Sequence, residues 1–158
     1  MAGVSGNSIL GHHPPIGGVA EGITVRTFTP QDVPRWLALR MRAFAAETPA
    51  VRPWSEADFA REMTSKPWWR DERTWMATPD DAPTELIGAV TLAMRKDTPI
   101  VHWLMVDPEW RRRGIAQQLL THLERAVWEH GDREVRLETH KNWQFAVELY
   151  TKLGYRIS

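Results

Sequence analysis

Apolar and polar positions alternate along this chain in short, well-separated periods. Residues 23–28 alternate with a period of two, which predicts a strand. Thr29-Pro30-Gln31-Asp32 then carries the marks of a helix start: a capping Thr, Pro at the first helical position and an acid three residues after the cap. Val33, Trp36, Leu37, Arg40, Met41 and Phe44 follow at helical spacing. Beyond a loop at residues 48–53, Ser55-Glu56-Ala57-Asp58 repeats the capping pattern and opens a short helix that Pro67 closes. Three strands are expected at residues 73–78, 86–94 and 100–106, the last two joined by a hairpin turn at 95–98. A helix over 114–130, a strand over 134–139, a helix over 142–153 stopped by Gly154, and a short strand over 155–157 complete the order β-α-α-β-β-β-α-β-α-β. That order predicts an α/β (α+β) domain with a mixed sheet flanked by helices. No repeat or interior linker breaks residues 23–158, so one domain is expected there. Residues 1–22 hold six of the ten glycines and His12-His13-Pro14-Pro15 without any hydrophobic period, which reads as a disordered tail.

One stretch concentrates the chemistry. Residues 100–106 are mostly apolar and β-branched, Asp107-Pro108 stops them, and Ile115, Leu119, Leu120, Leu123, Ala126 and Val127 recur at helical spacing. Gly114 therefore sits where a loop becomes a helix, beside Arg111, Arg112 and Arg113. The first N–H groups of a helix lack internal partners and carry partial positive charge, so this junction suits an anion, most often a phosphate. Gly114 removes a Cβ that would hold the anion off, and Ala116 keeps the next approach open.

Composition narrows the function classes. Twenty basic and twenty acidic side chains cancel, which argues against a general nucleic-acid binder. No cysteine is present, so disulfides, thiolate metal sites and a cysteine nucleophile are excluded. No apolar run is long enough to span a bilayer, and the first residues lack a basic-then-apolar leader, so a cytoplasmic protein without membrane partners is expected. Nine tryptophans are unusual and predict large core and groove-lining side chains.

The spacing Arg111-x-x-Gly114-x-Ala116, between a strand and a helix, resembles the acyl-CoA pyrophosphate loop of the GNAT N-acetyltransferase superfamily. A second stretch, Ala146-x-x-Leu149-Tyr150-x-x-Leu153-Gly154-Tyr155, is similar to that family's last helix. The resemblance covers residues 23–158 and implies a GNAT-like mixed sheet with the cofactor loop after its fourth strand. It also implies acetyl-CoA as cosubstrate, held by Arg111, Arg112, Arg113, Gly114, Ile115, Ala116 and Gln117. Backbone groups of Leu104, Met105 and Val106 would meet the pantetheine amides on a strand that splays from its neighbour. The family often has an Asn seven residues before the tyrosine. Here that position is Trp143 and Asn142 stands one residue early, as a pantetheine contact or simply a helix cap.

Tyr150 matches the tyrosine that lies near the cofactor sulfur in the family. A phenol near ~10 and a thiol near ~8.5 make full proton transfer uphill by about 2 kcal/mol, so a strong hydrogen bond to the developing thiolate is the role expected of it. The acceptor amine must lose a proton, since an alkylamine near ~10.4 is only about one part in 2,500 free base at pH 7. His102 is the candidate base, on a strand position sharing parity with Leu104 and Val106. The alternative is a buried, hydrogen-bonded strand histidine. Glu138 and His140 at the next strand end are weaker candidates, and Glu47 and Glu56 are candidates for holding a cationic substrate.

The reading is an acyl-CoA-dependent N-acyltransferase acting directly on a primary amine of a small molecule or peptide, with no metal and no nucleic-acid partner. The alternative is a non-catalytic acyl-CoA sensor or interaction domain. The family continues past Leu-Gly-Tyr through two strands, whereas room remains here for one. A missing neighbour for residues 155–157 is therefore expected, as a solvated edge on a monomer or homodimer.

Overall fold

A computed structural model of the chain describes residues 3–14, 21–46, 50–140 and 144–157, with the side-chain surroundings of 3–4, 138–140, 144–146 and 157 left aside. The strands are β1 (Gly3–Ile9), β2 (Ile23–Thr27), β3 (Thr74–Pro79), β4 (Gly88–Arg95), β5 (Thr98–Val106), β6 (Glu134–His140) and β7 (Arg156–Ile157). The helices are α1 (Val33–Ala43), α2 (Glu56–Phe59), α3 (Ile115–His130) and α4 (Gln144–Lys152). All seven strands form one sheet in the order β2-β3-β4-β5-β6-β1-β7, antiparallel throughout except for the parallel β5–β6 pair. The mixed sheet with flanking helices is the architecture the sequence predicts.

Two helix starts follow the capping chemistry. Asp32 accepts the Thr29 backbone N–H at 2.8 Å and a two-pronged pair from Arg26 at 2.7 and 2.8 Å. Burial alone would raise the Asp32 carboxyl, but Arg26 and Thr29 bring it below its usual range. The turn Pro30–Asp32 is a 3-10 turn running into α1. At α2, Asp58 N–H donates to Ser55 Oγ and Ser55 N–H returns a bond to the Asp58 carboxylate. α2 continues through a π-turn over Ala60–Thr64.

The sheet separates two cores. On one face α3 presses Ile115, Leu119, Leu123 and Val127 against Ile87, Val90, Leu92, Val135 and Leu137, with Tyr150 and Tyr155 joining from the α4 end. On the other, α1 and α2 bring Trp36, Leu39, Phe59 and Met63 onto Met76, Ala89 and Met105. Gly88 lets α3 seat closely: a Cβ there would lie 3.1 Å from both Ile115 Cγ2 and Leu119 Cδ1.

Two expectations are corrected at the chain ends. Gly3–Ile9, read as disordered tail because it lacks a hydrophobic period, is a strand paired with β6 along its whole length, from Gly3↔His140 to Ile9↔Glu134. Its backbone hydrogen bonds need no apolar side chains, and Leu10 behind it is buried in the α3-side core. The expected missing neighbour of residues 155–157 is this same strand: Gly6 pairs with Ile157 and Asn7 with Arg156. The last strand is thus sheltered by the first, inserted between β6 and β7.

Candidate active site

The loop from β5 to α3 is built by its own polar groups. Asp107 ends the strand, accepts Glu109 N–H on Oδ1 at 2.9 Å, and its carbonyl takes Trp110 N–H at 2.8 Å. Two arginines moor this turn to α1. Arg42 Nε donates to Asp107 Oδ2 at 2.8 Å while its Nη2 donates to the Leu86 carbonyl at 2.9 Å. Arg111 Nη2 reaches back to the Ala43 carbonyl at 2.8 Å. The chain then passes through two left-handed residues, Arg112 at φ 66° and Gly114 at φ 78°. The first costs of order 1 kcal/mol in a non-glycine residue; the second is where glycine alone is unstrained.

Gly114 is the N-cap of α3, and among the described residues no side chain bonds the helix start. Gln118 N–H is the first to find a helix carbonyl, that of Gly114 at 3.0 Å. The N–H groups of Ile115, Ala116 and Gln117 precede the first intrahelical bond and so have no partner within the helix. They border a groove of about 300 Å³, lined from the loop by Val106, Trp110, Arg111, Arg112 and Gly114, and from α4 by Leu149, Lys152 and Leu153. Uncapped N–H groups, a helix dipole and nearby cations are the donor set of a diphosphate cradle.

Of the residues singled out from sequence, Val106, Arg111, Arg112, Gly114, Ile115, Ala116 and Gln117 meet at this groove. Arg111 has its guanidinium engaged on Ala43, so it braces the loop as well as lining the groove. Arg113 lies with its guanidinium carbon 4.6 Å from the Trp110 ring centre and outside the lining. Asn142, Trp143 and Glu47 fall outside the described residues, as do the side chains of Glu138 and His140. Glu56 is exposed in the first turn of α2. Trp110 and Lys152 were not singled out, and Leu149 and Leu153 only as members of the second motif. Lys152 in particular reads in sequence as an ordinary cation in the last turn of a helix.

β5 and β6 pair only at Ile100↔Arg136 and Val101↔Leu137. Beyond Val101 no further β5–β6 pairs form, and Leu104, Met105 and Val106 run on toward the loop. On its other side β5 carries a bulge. Register shifts between Ala89↔Met105 and Thr91↔His102, and Trp103 takes φ 51°. The extra residue switches the faces of the strand. Leu104 and Val106 join the α3-side core, whereas His102 packs edge-on to Trp68 at 5.3 Å and beside Trp103 at 5.8 Å. The expected parity of His102 with Leu104 and Val106 is therefore corrected: the bulge puts them on opposite faces. Burial, and then the charge of Arg95, lowers the His102 imidazole from 6.5 to about 4.

Tyr150 is buried and stands edge-on to Tyr155 at 5.6 Å. Burial pushes its phenol well above the usual range, which keeps it protonated. Its neighbours Leu149 and Leu153, rather than Tyr150 itself, line the groove at the start of α3.

A family model described as "Acetyltransferase (GNAT) family" matches residues 35–155. An uncharacterized protein of Mycobacterium leprae is 31% identical over 146 residues, covering 89% of this chain and 36% of its own. A mycothiol acetyltransferase of Clavibacter sepedonicus is 28% identical over 135 residues, covering 85% of this chain and 43% of its own. The chain thus spans less than half the length of these relatives. A crystal structure of a GCN5-related N-acetyltransferase from Sphaerobacter thermophilus superposes with a TM-score of 0.80 at 24% identity, over 99% of this chain and 48% of that one, a likeness of fold. From the sheet, the loop and the match over residues 35–155, the chain belongs to the GNAT acetyltransferase family.

Proposed function

We propose that this chain is an acyl-CoA-dependent N-acetyltransferase that moves the acetyl group from acetyl-CoA to a primary amine of a small molecule or peptide. The observation that carries this reading is the uncapped start of α3: Gly114 in the left-handed region, with the N–H groups of Ile115, Ala116 and Gln117 facing a groove beside Arg112 and Lys152. Those residues fit a diphosphate by charge and by donor geometry. On the side facing β6, Leu104, Met105 and Val106 have no strand partner among the described residues, and there they offer backbone groups to an extended amide-bearing arm.

Acetyl-CoA supplies an activated thioester. The amine nitrogen forms the new C–N bond, the C–S bond breaks, and the amine's surplus proton leaves to solvent or a base. The residues here position, desolvate and hydrogen-bond. Tyr150, kept neutral by burial, donates a hydrogen bond to sulfur as negative charge develops on it. His102 stays neutral at pH 7 and is a weak base: accepting a proton from an alkylammonium would be uphill by more than six pH units, about 9 kcal/mol. Its role is to accept a hydrogen bond from the amine or a bridging water.

Thiol release from acetyl-CoA, measured against amino acids, polyamines, aminoglycosides and peptides, tests the reading. Turnover that disappears in Gly114→Glu supports it. Tight CoA binding without turnover on any amine would make the chain an acyl-CoA sensor instead.

A further inference from the structure

A second and larger groove lies away from the diphosphate cradle. It encloses about 620 Å³ and is bordered by β1, the turn between β4 and β5, β6 and β7. Four cations line it, Arg95, Lys96, Arg136 and Arg156, and no Asp or Glu does among the described residues. In a chain whose formal charges sum to zero, that is a local segregation of positive charge. Carboxylates also occur beside it in sequence: Glu134, which accepts from Arg136 Nε at 2.9 Å, Asp97 in the hairpin turn, and Glu138, in register with Ser5.

The groove opens on the face of the sheet that α3 does not cover. Val135 and Leu137 point into the α3-side core, so Arg136 between them points the other way. Tyr155 points into that core, and Arg156 follows it. The β5 bulge puts His102 on the same side as this groove. Arg95 links the two: it lines the groove, its guanidinium carbon lies 5.8 Å from the Trp68 ring, and Trp68 packs on His102. The cationic groove and the diphosphate groove share no lining residue.

We propose that this groove is the acceptor site and that it selects small-molecule amines whose body carries a carboxylate or phosphate. This rests on the transferase reading. Its volume is within the range of small-molecule pockets. Four cations converging from the hairpin, β6 and β7 attract an anion and repel a polycation, which disfavours polyamine and aminoglycoside acceptors. An anionic group held by Arg136 and Arg156 leaves the amine end of the same molecule free to reach toward His102.

The test uses a matched pair, ethanolamine and O-phosphoethanolamine, with aspartate and its diamide as the carboxylate pair. Binding is measured by calorimetry with CoA present, and kcat/KM by thiol release. The anionic member of a pair is expected to be favoured by about tenfold or more at low salt, with the preference falling as salt screens it. In Arg136→Glu and Arg156→Glu the preference is expected to vanish or invert while CoA affinity holds. Arg70→Glu, exposed and outside both grooves, is expected to leave the preference unchanged. Equal binding of both members of each pair, a preference for spermidine, or binding only of an acidic peptide would overturn the proposal. Anion binding with no acetyl transfer to any amine would sink the transferase reading and the acceptor role with it, whereas acetyl transfer without an anionic preference would sink this proposal alone.

Discussion

Arg42 and Asp107 meet Nε to Oδ2 at 2.8 Å, joining the end of the first long helix to the turn that begins the β5–α3 loop. Asp107 also holds Glu109 N–H, so one carboxylate fixes both the turn and its attachment. Replacing Asp107 with Ala is expected to raise the KM for acetyl-CoA by about three- to tenfold, with a smaller effect on kcat, because loss of such a charged bond costs about 1 kcal/mol or somewhat more. Arg42→Ala is expected to do the same, and the double variant no worse than the poorer single one. Steady-state kinetics on the four proteins checks it; additive losses would mean that the two residues act separately.

Gly114→Ala places a Cβ at φ 78°, a cost of about 1 kcal/mol, and narrows the approach to the helix start. Gly114→Glu adds bulk and negative charge beside the phosphates. Calorimetric titration with CoA is expected to show weakened binding for the first and none for the second, with circular dichroism confirming that both fold. CoA affinity at the wild-type level in Gly114→Glu would remove the diphosphate from this groove.

His102 sets a pH dependence of definite sign. Its folded value of about 4 lies below the unfolded 6.5, so the unfolded chain binds more protons between those values and stability falls as pH drops from about 6.5 toward 4. The contribution approaches about 3 kcal/mol at its limit. His102→Gln is expected to flatten that part of the stability profile in urea titrations. In the rate profile, any limb belonging to His102 lies near 4, and a rise of kcat/KM above neutrality tracks the acceptor amine. A limb at 6–8 that His102→Gln abolishes would show an imidazole with an ordinary affinity for protons.

Tyr150→Phe removes one hydroxyl from a buried ring and leaves the packing against Tyr155 in place. The expected result is a fall of about tenfold to a hundredfold in kcat with little change in acetyl-CoA affinity, the signature of an interaction made as charge develops on sulfur. A presteady-state burst that stays at the wild-type rate would leave Tyr150 as a packing residue.

Removing residues 1–9 uncovers the edges of both β6 and β7. Static light scattering is expected to show self-association of the shortened chain, because unpaired strand edges recruit one another. A synthetic peptide of the sequence from Gly3 to Ile9 is expected to restore the monodisperse state. A shortened chain that remains monodisperse and as stable as the parent would mean that β1 adds nothing to the sheet.

The helices and the central strands were legible from local marks: caps at the first two helices, helical periods, and apolar runs bounded by turn residues. Thr29 with Asp32 and Ser55 with Asp58 announce two helices before any apolar residue is counted. The turn from β5 into the start of α3 was legible from Gly114 and its position between strand and helix. What escaped depends on contacts across the chain. Gly3–Ile9 has few apolar side chains and is ordered by backbone pairing with residues far away, which no local pattern encodes. The bulge at Trp103 shifts the face of His102 by one register, and a tryptophan at φ 51° has no sequence signature. Lys152 becomes a groove cation only because α4 ends opposite the start of α3.

The insertion of β1 between β6 and β7 also orders events in time. Synthesis runs from the N-terminal side, yet the two partners of this strand emerge after every other strand of the sheet. Every nascent chain therefore carries Gly3–Ile9 as an unmatched edge-former while β2 to β5 and the helices between them are already available to pack. Closure joins segments separated by nearly the whole sequence, the kind of long loop that slows folding. The sheet is finished only once β7 has emerged, and a product ended before it keeps an adhesive strand that the finished sheet hides.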